Sequence, residues 1–330
     1  MSTNDPAFDR GQLETEKRLA SAAAIDALSV SQTLQLINTQ DIEVPRAVRL
    51  ALPALTKLIE RIIAGMREGG RLMYVGAGTS GRLGVLDASE CPPTFFTDPH
   101  EVVGIIAGGD KALRKSAEGK EDDPTGSHLT LTNMKLTEHD TLVGIAAGGT
   151  TPFVWGGIEF ARKQGCATGI ITCVKLSALR KPVTRAPLVP GNAPVDLPPP
   201  PEDQYKVDHA VELIVGPEVV TGSTRMKAGT ATKLALNMIT TTTMVQLGKT
   251  WGNLMVDVRA TNEKLTDRAQ RIIMQQLGID RDAAASLLDA ADGRVKTALV
   301  MHRKNLDAEA AERLIDEHDG RLRAILGPPR

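Results

Sequence analysis

The sequence predicts an α/β protein in which a parallel five-stranded sheet is flanked by helices and followed by a small C-terminal three-helix module. Five short apolar runs alternate with helical patterns, and they lie at residues 72–75, 102–106, 142–146, 168–172 and 211–215. Buried runs separated by helices are typical of βα units in a parallel sheet. The first three runs end in glycine-rich turns, which predicts a ligand-binding carboxyl edge.

The helical patterns predict two long helices and one largely helical region. Apolar residues recur every three to four positions within residues 17–68, and long helices are expected over 221–247 and 252–277. A proline-rich insertion at about 180–205 interrupts this pattern. Because proline fixes φ and removes a backbone donor, the insertion is predicted to be an extended surface segment. It is either passive or a partner contact.

Domain boundaries follow from these patterns. Residues 1–16 are polar and are expected to form a flexible tail, and the main domain is expected to cover 17–278. Three short helical patterns, broken near Asp292–Gly293 and at 305–307, place the C-terminal module at 279–330.

Composition excludes several classes of function. The 330-residue chain is 42% hydrophobic and 24% charged, with a net charge of −1 and only 3% aromatic residues. No basic excess or stacking surface indicates a nucleic-acid partner, and no apolar run is long enough for a membrane span. Three cysteines without a paired spacing favour a reduced, cytoplasmic setting. The six histidines are scattered, so no metal site is expected.

The turn after the first strand indicates a phosphate site. Residues 76–82 follow a strand and open a helix, so Gly78 lets the backbone approach an anion at the helix N-terminus. Thr79 and Ser80 stand where their hydroxyls can bind phosphate oxygens. The glycine spacing also fits a dinucleotide turn, but that fold wants an acidic residue about 20 positions further on. Asp110, the nearest candidate, comes about ten residues late.

A second turn with hydroxyl groups, Gly149-Thr150-Thr151, follows the third strand. Two such turns at one sheet edge favour a phosphorylated sugar as the ligand. A dinucleotide site and purely structural turns remain the alternatives.

Two acidic segments could supply catalytic carboxylates. Glu90 precedes Pro92–Pro93, which should end the first helix there. The dipole at a helix C-terminus disfavours a carboxylate, and this would suit a general acid. Glu121 lies in a polar run at 118–123. Judged alone, each glutamate is better interpreted as a solvated surface residue.

Further candidates lie near the last two long helices. Ser223 and Thr224 could bind a ligand or simply cap the helix that follows them. Asn262 and Glu263 belong to a segment that would otherwise read as a routine exposed helix face.

Three segments together resemble the N-acetylmuramic acid 6-phosphate etherase family. They are GAGTSGRLGVLDASECPP at 76–93, VVTGSTRMKAGTATKLALNM at 219–238 and GNLMVDVRATNEKL at 252–265, and the resemblance runs from about residue 14 to 326. That family has a sugar isomerase (SIS) domain and is similar to the glucokinase regulatory protein. The resemblance implies an SIS-type sheet, a homodimer with sites near the subunit interface, and a ubiquitin-associated-like C-terminal module.

The resemblance also implies the site. Its two motif glutamates correspond to Glu90 and Glu121, which would be the catalytic pair. The expected substrate-binding residues are Gly78, Thr79, Ser80, Ser89, Thr150, Thr151, Ser223, Thr224, Lys227, Asn262 and Glu263. One departure concerns the third-strand loop, which in the family usually reads Ala-Ser-Gly-Arg-Thr-Pro. Residues 147–152 here read Ala-Gly-Gly-Thr-Thr-Pro, so a serine and an arginine are missing.

The implied reaction is a lyase reaction that needs no metal and no cofactor. A base removes the C2 proton of open-chain N-acetylmuramic acid 6-phosphate, and the enolate expels D-lactate from C3. Water then adds at C3 to give N-acetylglucosamine 6-phosphate. Ser89, Lys227 and Asn262 are candidate donors to the enolate. A non-catalytic phosphosugar-binding regulator and an aldose–ketose phosphosugar isomerase are the competing functions.

Overall fold

The computed structural model describes residues 11, 13–115, 117, 119–179, 183–185, 195–197, 204–258 and 263–330. The chain divides into two compact units. The first, here called the sheet unit, contains residues 1–87 and 103–238, and the second, the helical unit, contains 88–102 and 239–330. The predicted boundary between residues 278 and 279 therefore lies inside the helical unit.

The predicted five-stranded parallel sheet is confirmed. Its strands are β1 (Leu72–Gly76), β2 (Val102–Ile106), β3 (Thr141–Ile145), β4 (Ala167–Thr172) and β7 (His209–Glu212). They are arranged in the order β2-β1-β3-β4-β7, and β1 pairs in parallel with β3 from Leu72–Thr141 to Gly76–Ile145. Because β1 and β3 are neighbours, the turns that follow them leave the sheet side by side.

The predicted proline-rich insertion contains a short antiparallel pair, β5 (Val183–Arg185) and β6 (Val195–Leu197). The rest of residues 180–203 lies outside the described part of the chain.

Seven α-helices begin within the described residues of the sheet unit. They are α1 (Val30–Asp41), α2 (Glu43–Arg67), α3 (Gly78–Phe95), α4 (His128–Asn133), α5 (Pro152–Lys163), α6 (Leu176–Leu179) and α7 (Lys227–Gln246). The apolar face of α2 is buried, and α5 packs on β3 and β4. The alanine-rich stretch before α1 forms 3-10 turns at Ala20–Ala22 and Ile25–Ala27 instead of an α-helix.

Part of the predicted flexible tail is packed. Residues Glu14–Glu16 form a 3-10 turn, Leu13 is only 3% exposed, and Thr15 is 1% exposed. Leu13 belongs to the apolar core of the sheet unit, together with Val75 and Val174. Residues 13–16 therefore differ from the expectation of a free tail, because an apolar side chain at position 13 anchors them.

Three helix boundaries differ from the sequence expectations. Pro92 and Pro93 lie inside α3, which ends at Phe95, so the prediction that they stop the helix was wrong. The helix expected from residue 221 begins at Lys227. The helix expected from residue 252 begins at Glu263, because the chain around Trp251 forms a bridge to Leu254 and Trp251 Nε1 donates to the Gly327 carbonyl at 2.8 Å.

The helical unit has its own apolar core. It contains α8 (Glu263–Leu277), α9 (Arg281–Ala290), α10 (Val295–Lys304), α11 (Ala308–Asp316) and α12 (Leu322–Leu326). Four helices, not the predicted three, therefore follow residue 280. Ile273, Leu299 and Leu322 are completely buried in this core. Among the described helices, none is long and apolar enough to cross a membrane.

Candidate functional site

The two predicted phosphate turns lie at the same edge of the sheet. Thr79 and Ser80 are half-buried in the first turn of α3, directly after β1. Thr150 and Thr151 are half-buried between β3 and α5. Since β1 and β3 are adjacent and parallel, these four hydroxyl-bearing residues follow neighbouring strand ends. The first N–H groups of a helix have no partner within the helix, so the start of α3 also offers backbone donors to an anion. The start of α5 does not, because Pro152 has no N–H and the Phe153 N–H donates to the Glu121 carbonyl.

Glycine is required for the tight course of the first turn. A Cβ on Gly76 would lie 2.7 Å from the Gly81 nitrogen, and a Cβ on Gly81 would lie 2.6 Å from Ile106 Cγ1. Gly78 has φ +52°, a left-handed conformation that favours glycine. The backbone at Gly76 and the backbone at Gly81 therefore lie close together where α3 begins. A Cβ on Gly78 would meet nothing within 4 Å, so this helix end has room for a ligand.

Glu121 is exposed, but the chain on which it stands is anchored. Its carbonyl accepts a hydrogen bond of 3.0 Å from the Phe153 N–H in the first turn of α5. Farther along, the Pro124 carbonyl lies so close to Gly156 that a Cβ there would come within 1.7 Å of it. The sequence described this segment as an open loop, whereas these contacts hold Glu121 next to the third-strand turn.

The entry to α7 is organised by Glu218, a residue that the sequence analysis missed. Glu218 is 1% exposed, and its carboxylate accepts from the N–H groups of Lys227 (3.1 Å) and Ala228 (2.9 Å). A capping contact nine and ten residues away leaves no short-range sequence signal. Glu218 thus satisfies the first donors of α7, which makes this helix end a poor phosphate site.

Ser223 and Thr224 stand in the turn before α7, close to the first phosphate turn. A Cβ on Gly229 would lie 3.4 Å from the Thr224 carbonyl and 3.5 Å from Thr79 Cγ2. The structure therefore brings the predicted Ser223–Thr224 segment and Thr79 into one region of the sheet unit.

Lys227 does not behave as the predicted substrate donor. It is 3% exposed, and its ammonium donates to Gln40 Oε1 of α1 at 3.1 Å. Burial lowers the pKa of this lysine, and the nearby carboxylates of Glu218, Asp41 and Glu43 oppose that shift. The ammonium group is thus engaged with α1, and Lys227 is better described as a packing residue.

The remaining predicted site residues lie in the helical unit or outside the described chain. Ser89 and Glu90 are exposed on α3, and Glu90 lies five residues before the helix ends. Because the dipole effect is confined to the last turn, the expected effect of a helix C-terminus on Glu90 is not supported. Glu263 is the exposed first residue of α8, and Asn262 lies outside the described residues.

The helical unit contains a cavity of about 280 Å³ lined by charged side chains. The Lys296 ammonium lies 2.9 Å from Asp257 Oδ2, and that of Lys249 lies 3.4 Å from the same oxygen. Arg294 pairs with Glu312 at 3.0 Å. Burial lowers the pKa of Lys296, while Asp257 acts in the opposite direction. These paired charges were not anticipated, because the partners are between 8 and 39 residues apart in the sequence.

The described residues contain no group of three or more His, Cys, Asp or Glu side chains that could hold a metal ion. The three cysteines are free and buried. Burial raises the pKa of Cys166 to about 11 and that of Cys173 to about 12, so both stay protonated thiols at neutral pH.

Comparison with known protein families matches residues 54–162 to the glucokinase regulatory protein N-terminal SIS domain. The match covers β1, β2, β3 and the turns with Thr79 and Thr150. Among solved structures, the phosphoheptose isomerase from Neisseria gonorrhoeae is similar with a TM-score of 0.43 and 14% identity, covering 65% of this chain and 98% of that one.

Close relatives extend over most of the chain. An N-acetylmuramic acid 6-phosphate etherase from Rhodopirellula baltica is 48% identical over 289 residues, which is 88% of this chain and 88% of the relative. The enzyme of the same name from Exiguobacterium sp. is 44% identical over 289 residues, covering 88% of this chain and 90% of the relative.

Proposed function

The chain belongs to the N-acetylmuramic acid 6-phosphate etherase family, and from this we propose that it is a lyase that releases D-lactate from N-acetylmuramic acid 6-phosphate. The identity of 44% to 48% over 88% of the chain carries this assignment. The hydroxyl-bearing turns at the carboxyl edge of the sheet unit support a phosphorylated sugar as the ligand. A phosphosugar isomerase and a non-catalytic regulator fit the named relatives less well.

Elimination explains how such an ether can be cleaved under mild conditions. An alkoxide is a poor leaving group for direct hydrolysis, but a C2 proton next to an aldehyde is acidic enough to be removed by a carboxylate. The resulting enolate expels the C3 oxygen as D-lactate. Water then adds to the unsaturated aldehyde at C3 and yields N-acetylglucosamine 6-phosphate. The steps require a base, an acid and hydrogen-bond donors to the enolate, and no redox step.

The phosphate group is proposed to bind between the turn that follows β1 and the turn that follows β3. The residues proposed for this are Gly78, Thr79, Ser80, Thr150, Thr151, Ser223 and Thr224. The first five follow the neighbouring strands β1 and β3, and the Ser223–Thr224 segment lies close to Thr79. The motif resemblance alone supports Ser89, Asn262 and Glu263 as further sugar contacts. Lys227 is left out because Gln40 holds its ammonium group.

Glu121 and Glu90 are proposed as the catalytic pair. Glu121 is the candidate base for C2, because it is exposed and its backbone is anchored beside the third-strand turn. Glu90 is the candidate acid for the departing lactate oxygen. The motif that contains Glu90 supports this role, and its place on α3 adds no separate argument.

We also propose that the active form is a cytoplasmic homodimer. Apolar side chains on α1 and α2 are strongly exposed, with Val30 at 79%, Leu34 at 62% and Leu50 at 84%. Exposed apolar surface can mark a protein contact, and we assign these side chains to the subunit interface. Light scattering at the assay concentration should give the mass of two chains. A fully active monomer would contradict the proposal.

The test of the function is a product assay. The purified chain is incubated with N-acetylmuramic acid 6-phosphate, and D-lactate and N-acetylglucosamine 6-phosphate are measured. We expect both products in equal amounts, and a far lower kcat/KM for unphosphorylated N-acetylmuramic acid. Binding without lactate would favour the regulator, and a rearranged sugar phosphate that retains lactate would favour the isomerase.

A further inference from the structure

The 3-10 turn at Glu14–Glu16 lies against two loops of the proposed phosphate edge. A Cβ on Gly148, in the third-strand turn, would have Thr15 Oγ1 as its nearest neighbour at 3.8 Å. A Cβ on Gly222, in the turn before α7, would lie 3.2 Å from Glu16 Oε2. The N-terminal turn therefore sits next to two of the loops to which the phosphosugar is assigned.

Among the described residues, the Thr15 hydroxyl has no hydrogen-bond partner. Its side chain is 1% exposed, and Oγ1 is buried without a hydrogen bond to that part of the chain. Buried hydroxyl groups in folded proteins are nearly always hydrogen-bonded, so an unpaired one calls for an explanation. Leu13 fixes this hydroxyl in place, because its side chain is in the core and lies 4.0 Å from the same Gly148 position.

The third-strand turn lacks a hydroxyl at the point that Thr15 faces. Position 148 is glycine, although its φ does not require glycine and a Cβ there would meet only ordinary contacts of 3.8 and 4.0 Å. A side chain would thus fit at this position, but the chain has none. The nearest side-chain oxygen is that of Thr15, from the other end of the sequence.

We propose that Thr15 is a further substrate-binding residue, whose hydroxyl donates to a phosphate oxygen held by the turn at residues 148–151. This inference rests on the proposed function of that edge. The ligand then supplies the acceptor that the protein does not, and the N-terminal turn becomes part of the site. A small adjustment of the turn on binding is sufficient, because the hydroxyl already lies against Gly148.

The test replaces Thr15 by valine, which keeps the shape and removes only the hydroxyl. KM for N-acetylmuramic acid 6-phosphate should rise about tenfold, the size expected for one hydrogen bond to a charged oxygen, with a smaller change in kcat. The melting temperature without ligand should not fall, because the hydroxyl that is removed has no partner in the protein. Thr15→Ser should restore most of the affinity.

Thr141→Val is the matched control. Thr141 also carries a buried, unpaired hydroxyl at 1% exposure, but at the first residue of β3, the opposite edge of the same sheet. Its KM should equal that of the wild type. Equal KM values for Thr15→Val and the wild type would overturn the proposal, and so would an equal rise in both valine variants.

A second set of variants avoids any folding problem at Thr15. Gly148→Ser adds a hydroxyl beside the proposed contact and should retain affinity, whereas Gly148→Ala only fills the space and should raise KM. In the Thr15→Val background, Gly148→Ser should recover part of the lost affinity. If alanine and serine at 148 behave alike, the proposal fails.

Direct binding separates this inference from the proposed function. The dissociation constant of N-acetylglucosamine 6-phosphate is measured by calorimetry for the wild type and for Thr15→Val. If the wild type released no lactate but bound this sugar phosphate about tenfold more tightly than Thr15→Val, the lyase assignment would fail while the Thr15 site would stand. Equal binding by an active wild type and by the variant would reject Thr15 alone.

Discussion

The two units of the protein use charge in opposite ways. At the carboxyl edge of the sheet unit, the turns after β1 and β3 carry neutral hydroxyls, such as those of Thr79 and Thr150, and the first N–H groups of α3. In the helical unit, the cavity is lined by lysines and carboxylates that pair with one another, such as Lys296 with Asp257. Unpaired donors suit a surface that must accept a ligand, whereas paired charges suit a surface that holds helices together.

The contrast also explains how a chain with net charge −1 can bind a phosphate dianion. Its overall field offers no attraction, so binding must come from donors arranged at short range. The charges that do occur in clusters are neutralised by their partners and are expected to act on stability instead of binding.

The largest effects should follow from removing the two glutamates. Glu121→Gln and Glu90→Gln should each lower lactate release by roughly 10²–10⁴-fold, the usual contribution of a general acid or base. Exchange of the C2 proton with deuterated solvent separates their roles. Glu121→Gln should lose exchange as well as lactate release, whereas Glu90→Gln should keep some exchange, because deprotonation precedes expulsion. The opposite pattern would mean that Glu90 is the base and Glu121 the acid. Near wild-type rates of lactate release in both variants would show that neither glutamate is catalytic.

In the helical unit, Asp257 should matter for stability and not for turnover. Asp257→Ala leaves the buried Lys296 ammonium without its carboxylate and close to Lys249, which should cost about 3 kcal/mol of unfolding free energy. Lys296→Met leaves Asp257 paired with Lys249 and should change stability by less than about 1 kcal/mol. Urea unfolding measures both. The prediction would be wrong if Lys296→Met lost more unfolding free energy than Asp257→Ala. It would also be wrong if either variant showed a large fall in kcat/KM well below its unfolding temperature.

The sheet unit also contains a structural ion pair, away from its ligand edge. Asp140 is 1% exposed and lies 2.7 Å from Arg71 at the amino ends of β1 and β3. Burial alone would raise the pKa of Asp140, but hydrogen bonds from Arg71 and the Thr137 N–H outweigh it and hold the pKa below its ordinary value. Asp140→Asn should therefore cost about 2 kcal/mol of stability at neutral pH.

The sign of its pH dependence follows from that lowered pKa. The contribution of Asp140 is complete above the ordinary pKa of an aspartate, about 4, and is lost as pH falls through the lowered value. The stability difference between wild type and Asp140→Asn should therefore shrink below about pH 4. Asp123, whose pKa is also lowered but which is exposed, is the control, and Asp123→Asn should show little of this effect. A difference that persists at pH 2 would argue against an ionic contribution.

The smallest effects are expected at the helix caps of the helical unit. Asp280 and Asp307 accept from the N–H groups of Ala283 and Ala310, each at 2.8 Å, at the starts of α9 and α11. Asp280→Ala should lower the unfolding free energy by about 1 kcal/mol, and Asp280→Ser should recover most of it. An unchanged melting temperature in Asp280→Ala would show that this cap is dispensable.

The sequence by itself determined the strands, the glycine-rich turns and the family. All five strands were predicted within three residues at each end, because buried strands of a parallel sheet are short apolar runs that require no distant information. The glycine-rich turns after β1 and β3 were equally local signals, since the positive φ and close approach at Gly78 and Gly81 restrict which residues can stand there.

Only the tertiary structure decided the ends of the helices and the partners of buried polar groups. Pro92 and Pro93 lie within α3, and the helix expected from residue 252 starts at 263, where packing of Trp251 outweighs local propensity. Glu218 and Thr15 were missed for the same reason, and so was the contact of Lys227 with Gln40. Their contacts join residues from nine to nearly two hundred positions apart, and the energy of a buried polar group depends on its partner in space and not on its neighbours in the chain.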